Sequence, residues 1–192
     1  MTDARKPYDI DSLTDVALRV FAERGYDGAS MDDVARAAGI TKASIYHHVT
    51  SKEELLARGL RRALDALFAI LEEDGAAAGE PFARLEYILG RVAETTLELL
   101  PELSVLFRVR GNSPTEREAI GRRRSFDRIV AELIADGQKA GSVRRDVDPA
   151  IAARLLFGLS NSVVEWYRPG GRARAAEVAG TTVRLAVGAL RP

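Results

Sequence analysis

The sequence predicts an all-α protein, and three observations carry that prediction. Nearly every long segment repeats its apolar residues at spacings of three and four, the period of a helix with one buried face. The starts of these segments carry N-cap and capping-box residues, while glycine or proline marks their ends. No stretch alternates polar and apolar residues as a half-buried strand would. A chain of 192 residues is long enough to bury a proper core as one large domain or two small ones.

The elements follow in order. Leu13, Val16, Ala17, Val20 and Phe21 form one helical stripe, and Gly25 is the stop after it. Ser30-Met31-Asp32-Asp33 reads as a capping box with a short acid, opening a short helix that Gly39 closes. Thr41 caps a third helix through Tyr46 to Val49. Ser51-Lys52-Glu53-Glu54 starts a long helix carrying Leu55, Leu56, Leu60, Ala63, Leu64, Leu67 and Leu71, and it runs out at Glu72-Glu73-Asp74. The stretch Ala76-Ala77-Ala78-Gly79-Glu80 reads as a loop. Beyond Pro81 the period resumes with Phe82, Leu85, Leu89, Val92 and Thr96, and a short helix follows around Glu102 to Val109. Ser113-Pro114-Thr115-Glu116 joins an N-cap, a proline at N1 and an acid at N3, predicting a helix to about Ala140. Asp148-Pro149 opens another to about Tyr167, and a last one covers roughly Arg174 to Leu190, for about nine helices in all.

Composition excludes several classes. Lys plus Arg and Asp plus Glu balance at 28 each, so contact with a polyanion must come from local clustering. The absence of cysteine removes a disulfide framework, thiolate catalysis and a Cys-ligated metal. No apolar stretch follows Arg5 and Lys6, as a signal peptide would require, and charges interrupt every apolar run before it reaches membrane length. The expectation is a cytoplasmic protein with no membrane partner.

Residues Leu13 to Leu56 are the informative region. Three helices are packed into about fifty residues, and the short turn Gly39-Ile40-Thr41-Lys42 joins the second to the third. That is the requirement of a helix-turn-helix, whose second helix projects into a major groove of double-stranded DNA. Ala35 and Ala38 allow a close helix crossing, and Ile40 and Ile45 can anchor the turn from beneath. Lys42, Ala43, Ser44, Tyr46, His47 and His48 are then left facing outward, a mixture suited to base edges and phosphates. Between Asp33 and Glu53 the sequence has no acid, while Arg36, Lys42 and Lys52 lie in that window with both histidines. Such a window also arises by chance on a solvated helix; the three-helix spacing beside it favours a duplex. Adjacent histidines on a helix point about 100° apart and chelate one ion poorly, so no metal and no cofactor are expected. Without a nucleophile–base pair, no catalytic residue is assigned and the chain is not read as an enzyme.

Residues 13–60 resemble the N-terminal domain of the TetR family of bacterial transcriptional repressors. The match lies in Leu13-x-x-Val16-Ala17-x-x-Val20-Phe21, Gly25-Tyr26-x-x-Ala29-Ser30-Met31-x-x-Val34-Ala35-x-x-Ala38-Gly39-Ile40, Thr41-Lys42-Ala43-Ser44-Ile45-Tyr46-His47-His48 and Ser51-Lys52-Glu53-Glu54-Leu55-Leu56. Val49 departs from the pattern, where the family often has Phe. The resemblance implies a homodimer on a palindromic operator, with recognition helices about 34–36 Å apart or a multiple of that. It implies that Thr41, Lys42 and Ser44 face bases or nearby phosphates, that Tyr46, His47 and Lys52 hold the backbone, and that the helix N-terminus at Ser30 binds a phosphate.

The expected organisation is a DNA-binding domain over 1–50, a connecting helix over 51–75 and an effector-binding and dimerisation domain over 76–192. The last two helices carry stripes (Ile151, Leu155, Leu159, Val163; Val178, Thr181, Leu185, Gly188) among small residues that permit close crossing, as a dimer interface or as monomer core. Leu64, Leu67, Leu89, Phe107, Phe126 and Ile129 either line an apolar effector cavity or are plain core. Arg108 sits in an arginine-rich region with Arg110, Arg117, Arg122, Arg123, Arg124 and Arg128, which either meets an anionic ligand or is a solvated face. The segment Asn161 to Gly171, with Trp166, resembles TetR-type regulators of fatty-acid, steroid and phenylacetate breakdown. That resemblance implies an acyl-CoA-like effector; otherwise Trp166 is a packing residue. The readings left open are a ligand-released repressor, a DNA-binding protein without a small-molecule effector, and a helical lipid or acyl carrier.

Overall fold

Six of the helices among the described residues begin where a polar side chain takes up an orphan amide of the first turn. The computed structural model describes residues 9–192, in which all regular structure is helical. The expectation for Met1 to Pro7 lies outside these residues. Asp9 and Ser12 form a reciprocal capping box that opens α1 (Ile10–Arg24). The chain continues through α2 (Met31–Ala38), α3 (Lys42–Tyr46), α4 (Lys52–Ile70), α5 (Asp74–Ala77), α6 (Pro81–Glu98) and α7 (Leu100–Arg108). It ends with α8 (Pro114–Ala140), α9 (Pro149–Trp166) and α10 (Ala175–Leu190). Ser30, Thr41, Ser51, Ser113 and Asp148 each accept an amide at the helix starts read from the sequence.

One apolar core runs through the chain, from Leu13, Phe21 and Ile45 to Phe126, Leu156 and Leu190. The first three helices therefore have no separate core of their own. They are joined to the rest by α7, which packs on α1, and by α4, which packs against α1, α6, α7 and α8. Of the stripe that the helical period predicts for α4, Leu55, Leu56, Leu60, Ala63, Leu64 and Leu67 are buried, while Leu71 caps the helix and is half-buried. A smaller cluster of Val163, Tyr167 and Val178 ties the end of α9 to the start of α10.

Two elements differ from the sequence reading. The stretch after Glu73 is not all loop: α5 occupies Asp74–Ala77, making ten helices among the described residues. A tertiary bond holds it, since Arg84 Nε donates to the Ala76 carbonyl at 2.7 Å and Ala76 is buried. The third helix stops at Tyr46, and the turn beyond it closes with the His48 amide donating to the Ile45 carbonyl at 2.9 Å.

Between α7 and α8 the chain is fixed by a buried carboxylate. Glu116 accepts amides from Arg110, Gly111 and Asn112 at 2.9, 2.8 and 3.1 Å. Burial pushes its carboxyl up, but these three donors outweigh burial and hold it below the usual range. No helix among the described residues is long and apolar enough to cross a membrane.

The crossing of α1 and α4 depends on Gly59, where an added Cβ would overlap the fully buried side chain of Leu18. Alanine is the better helix former by about 1 kcal/mol, yet overpacking here costs about 1–3 kcal/mol. Gly59→Ala therefore lowers stability in urea unfolding; an increase would show that the crossing has slack.

Candidate nucleic-acid interface

The turn between α2 and α3 is built from backbone and caps. Gly39 takes a left-handed conformation (φ 67°), and the Ile40 amide returns to the Ala35 carbonyl at 3.1 Å. Thr41 then caps α3 by accepting the Ser44 amide at 3.1 Å, with its hydroxyl 2.8 Å from that of Ser44. Ile45 is completely buried and is the one buried side chain of α3. Thr41, Lys42, Ala43, Tyr46, His47 and His48 are exposed around it, and Ser44 is half-buried. The structure thus gathers the expected recognition residues on one outer surface, with Tyr46 47% exposed despite its aromatic ring.

The charges on that surface are less free than the sequence suggested. The window between Asp33 and Glu53 has no acid in sequence, but it has one in space: Lys42 Nζ donates to Asp32 Oδ2 at 2.8 Å. Asp33 is committed elsewhere. It accepts the Ser30 amide at 3.0 Å and the Ser30 hydroxyl at 2.6 Å, and it pairs with Arg24 and Arg36. The Ser30 hydroxyl, the Ser30 amide and these guanidinium groups hold its carboxyl down at about 2. The Ser30 hydroxyl and amide are thus both engaged in the capping box.

Lys52, expected to hold the DNA backbone, is half-buried and donates to the Tyr26 and Ala29 carbonyls, each at 2.8 Å. Its ammonium lies 4.2 Å from the centroid of the Tyr26 ring, which packs edge-on against Phe21. Burial, and then the nearby carboxylates of Glu53, Glu116 and Asp27, raise the Tyr26 phenol to about 12. Two of the three ammonium donors of Lys52 thus clamp the α1–α2 connection onto the start of α4.

The candidate effector residues separate into three groups. Leu67, Phe107 and Phe126 line a cavity of about 340 Å³, together with Val92, Phe157, Arg123, Arg124, Asp127, Arg154 and Asn161. Leu64 and Leu89 are buried core residues that do not line this cavity. Ile129 and Trp166 are 38% and 55% exposed and line none of the clefts described here, and Trp166 rests edge-on against Tyr167. Arg108 lies outside this cavity: it donates to the Ala22 carbonyl of α1 and reaches Glu165 of α9.

Arg154 and Asp127 were missed by the sequence reading, although Arg154 is the only charge between Asp148 and Glu165. Burial raises the Asp127 carboxyl against the opposing pull of Arg123 and Arg154. The arginine-rich region divides as well, with Arg122 pairing with Asp65 while Arg123 and Arg124 turn to the cavity. Among the described residues, no group of three or more His, Cys, Asp or Glu side chains is placed to hold a metal ion.

On the far side, α9 and α10 leave large apolar side chains in solvent: Ile151, Leu155 and Leu185 are 59%, 70% and 60% exposed. Gly158 and Gly188 are exposed alongside them, whereas Val163 and Val178 of the same expected stripes are buried.

Residues 13–58 match the family described as bacterial regulatory proteins, tetR family, and residues 78–190 match the tetracyclin repressor-like C-terminal domain. The chain is 32% identical over 166 residues to the HTH-type transcriptional repressor KstR2 of Rhodococcus jostii (strain RHA1), covering 83% of this chain and 79% of that protein. A solved member of the TetR transcriptional regulator family from Streptomyces coelicolor A3 is 51% identical, with a TM-score of 0.85 over 100% of this chain and 96% of that one. The ketosteroid transcriptional regulator KstR2 of Mycobacterium tuberculosis is 26% identical, with a TM-score of 0.86 over 100% and 97% of the two chains.

Replacing Lys52 by Met keeps the stem but leaves two carbonyls without their donor, at a cost of about 1–3 kcal/mol. Lys52→Met should therefore lower the urea midpoint even without DNA; an unchanged midpoint would return Lys52 to the role of a free surface charge.

Proposed function

The chain belongs to the tetR family of bacterial regulatory proteins, and from that premise we propose that it is a cytoplasmic, homodimeric repressor that binds a palindromic operator and is released by a small amphipathic effector. The observation that carries the DNA-binding part is the outer face of α3, where one buried residue, Ile45, anchors an otherwise exposed helix. In this reading Thr41, Ser44 and Lys42 meet base edges, the Ala43 methyl packs in the groove, and Tyr46, His47 and His48 hold phosphates. Lys52 acts chiefly through the clamp, with its remaining donor available to the backbone.

Residues 1–50 then form the DNA-binding unit, 51–75 the connecting helix and 76–192 the effector and dimer unit. The exposed faces of α9 and α10 supply the dimer surface: their apolar side chains and neighbouring glycines suit a close four-helix packing with the same faces of a second copy.

The cavity between α4, α6, α7, α8 and α9 supports an effector with an apolar body and an anionic group. Leu67, Val92, Phe107, Phe126 and Phe157 would take the body, and Arg123, Arg124 and Arg154 the anion. A ligand that parts α8 from α4 also moves α1, because polar ties cross the same junction. Arg62 of α4 bonds Asp15 of α1 and Glu102 of α7, and Thr115 of α8 donates to Glu53 of α4 at 2.7 Å. A complete switch needs a preference of about 5.5 kcal/mol for the released conformation.

Two experiments test this reading. Selection from a random duplex pool should recover a two-fold symmetric site. Tyr46→Ala should then weaken binding to every duplex about fivefold, while Ser44→Ala should change the preferred bases. Recovery of no sequence, with no binding at low salt, would sink the DNA-binding reading. For the effector, a thermal-shift panel of acyl-CoAs, fatty acids, aromatic acids and steroid-derived acids is suitable. The last are included because one relative is named a ketosteroid regulator. A ligand at about 100 times its Kd adds about 2.7 kcal/mol of stability. That gain should fall in Arg154→Gln; a gain untouched by this change would place the ligand elsewhere.

A further inference from the structure

Two neighbouring carboxylates on α2 have different partners. Asp33 closes the capping box and binds Arg24 and Arg36. Asp32 takes no part in that box; its carboxylate reaches across to α3 and accepts Lys42 Nζ at 2.8 Å, ten residues along the chain. Both members of this pair are open to water, with side chains 58% and 47% exposed, so the pair does little for stability. Yet it sits on the surface proposed to meet DNA, and Lys42 is the only cation within α3. Asp32 and its hydrogen bond together raise the Lys42 ammonium, which stays charged.

We propose that Asp32 is a specificity-determining residue of the DNA interface, holding Lys42 back from the phosphates of arbitrary duplex. The proposal rests on the DNA-binding reading above. Non-specific affinity comes from cations that replace condensed counterions along the backbone, one ion released for each phosphate neutralised. A lysine that already has a carboxylate counter-charge gains little from a phosphate, because taking the phosphate means giving up Asp32. The exchange also leaves a bare carboxylate facing a polyanion. It is favourable only where the correct site supplies more than a phosphate, such as base acceptors in the position of the carboxylate. The pair therefore lowers affinity for wrong sequences more than for the right one, which is how discrimination is raised by a repulsive element.

The test compares the full-length protein with Asp32→Asn, Asp32→Glu, Lys42→Ala and the Asp32→Asn/Lys42→Ala double variant. Each is titrated by fluorescence anisotropy against a random-sequence 30-base-pair duplex and against a duplex selected by the wild-type protein, across a salt series. Asp32→Asn should bind the random duplex about fivefold more tightly, and the slope of log K against log salt should steepen by about 0.9 for each Lys42 set free. Its preference for the selected duplex should fall. Asp32→Glu should behave as wild type, and in the Lys42→Ala background the Asn change should lose most of its effect.

Unchanged affinity of Asp32→Asn for the random duplex overturns the proposal. So does an equal gain in the Lys42→Ala background, which would make Asp32 a bare repulsive charge acting without Lys42. Wild-type protein that binds no duplex at low salt overturns the DNA-binding reading itself, a result distinct from either of these. A thermal melt of each variant confirms that all are folded, as the exposure of both side chains predicts.

Discussion

A helix of five residues cannot hold itself in water, so the exposed surface of α3 exists only because Ile45 is fixed beneath it. Everything around Ile45 serves that attachment. Gly39 reverses the chain in a conformation closed to most residues, Thr41 caps the helix, and the capping box of Ser30 and Asp33 sets the start of the helix that precedes the turn. Ile45 in turn belongs to the same apolar core as Leu13, Phe21, Leu55 and Leu56, so α3 is attached to a core that it shares with α1 and α4. Short helix, single anchor and shared core together make a rigid projection from very few residues.

The shared core also makes regulation physically reasonable. Because α4 packs on both α1 and α8 and one core runs through all of them, the N-terminal helices and the helices beyond them have no independent cores. Arg62 and Arg108 add polar ties from α4 and α7 to α1 across the same junction. A disturbance in the cavity wall reaches α1 through packed side chains and these ties. The same electrostatic economy governs the outer face, where Asp32, Asp33 and the Tyr26 and Ala29 carbonyls have already claimed Lys42, Arg24, Arg36 and Lys52. The surface around α2 and α3 is therefore organised by internal partners in the free protein.

Much of this was legible in the sequence because its signals are local. Ser30 with Asp33, Ser113 with Glu116 and Asp148 with Pro149 each act within one turn, and the helix starts follow from them. The α5 turn was not legible: Ala76 to Gly79 has no apolar period, and a tertiary bond from Arg84 helps to hold it. Charge counting along the chain failed at Lys42 and Lys52 for the same reason, since their partners lie ten or more residues away. The arginine-rich region could not be divided from the sequence, because Arg122 meets Asp65 and Arg108 meets Glu165 at separations of 57 residues. A cavity wall and a core are made of the same apolar residues, which is why Leu67 and Leu64 could not be told apart from the sequence: both are buried, and only the packing of the helices decides which one faces the cavity.

In the proposed function, duplex DNA is met at the surface around α3, held from below by Ile45. Amide hydrogen exchange, with and without a duplex selected from a random pool, reads this directly. Added DNA should slow exchange across residues 41–49 and the start of α2, and leave the amides of α6 and α10 unchanged. Protection confined to the C-terminal helices, with α3 exchanging as in the free protein, would contradict it.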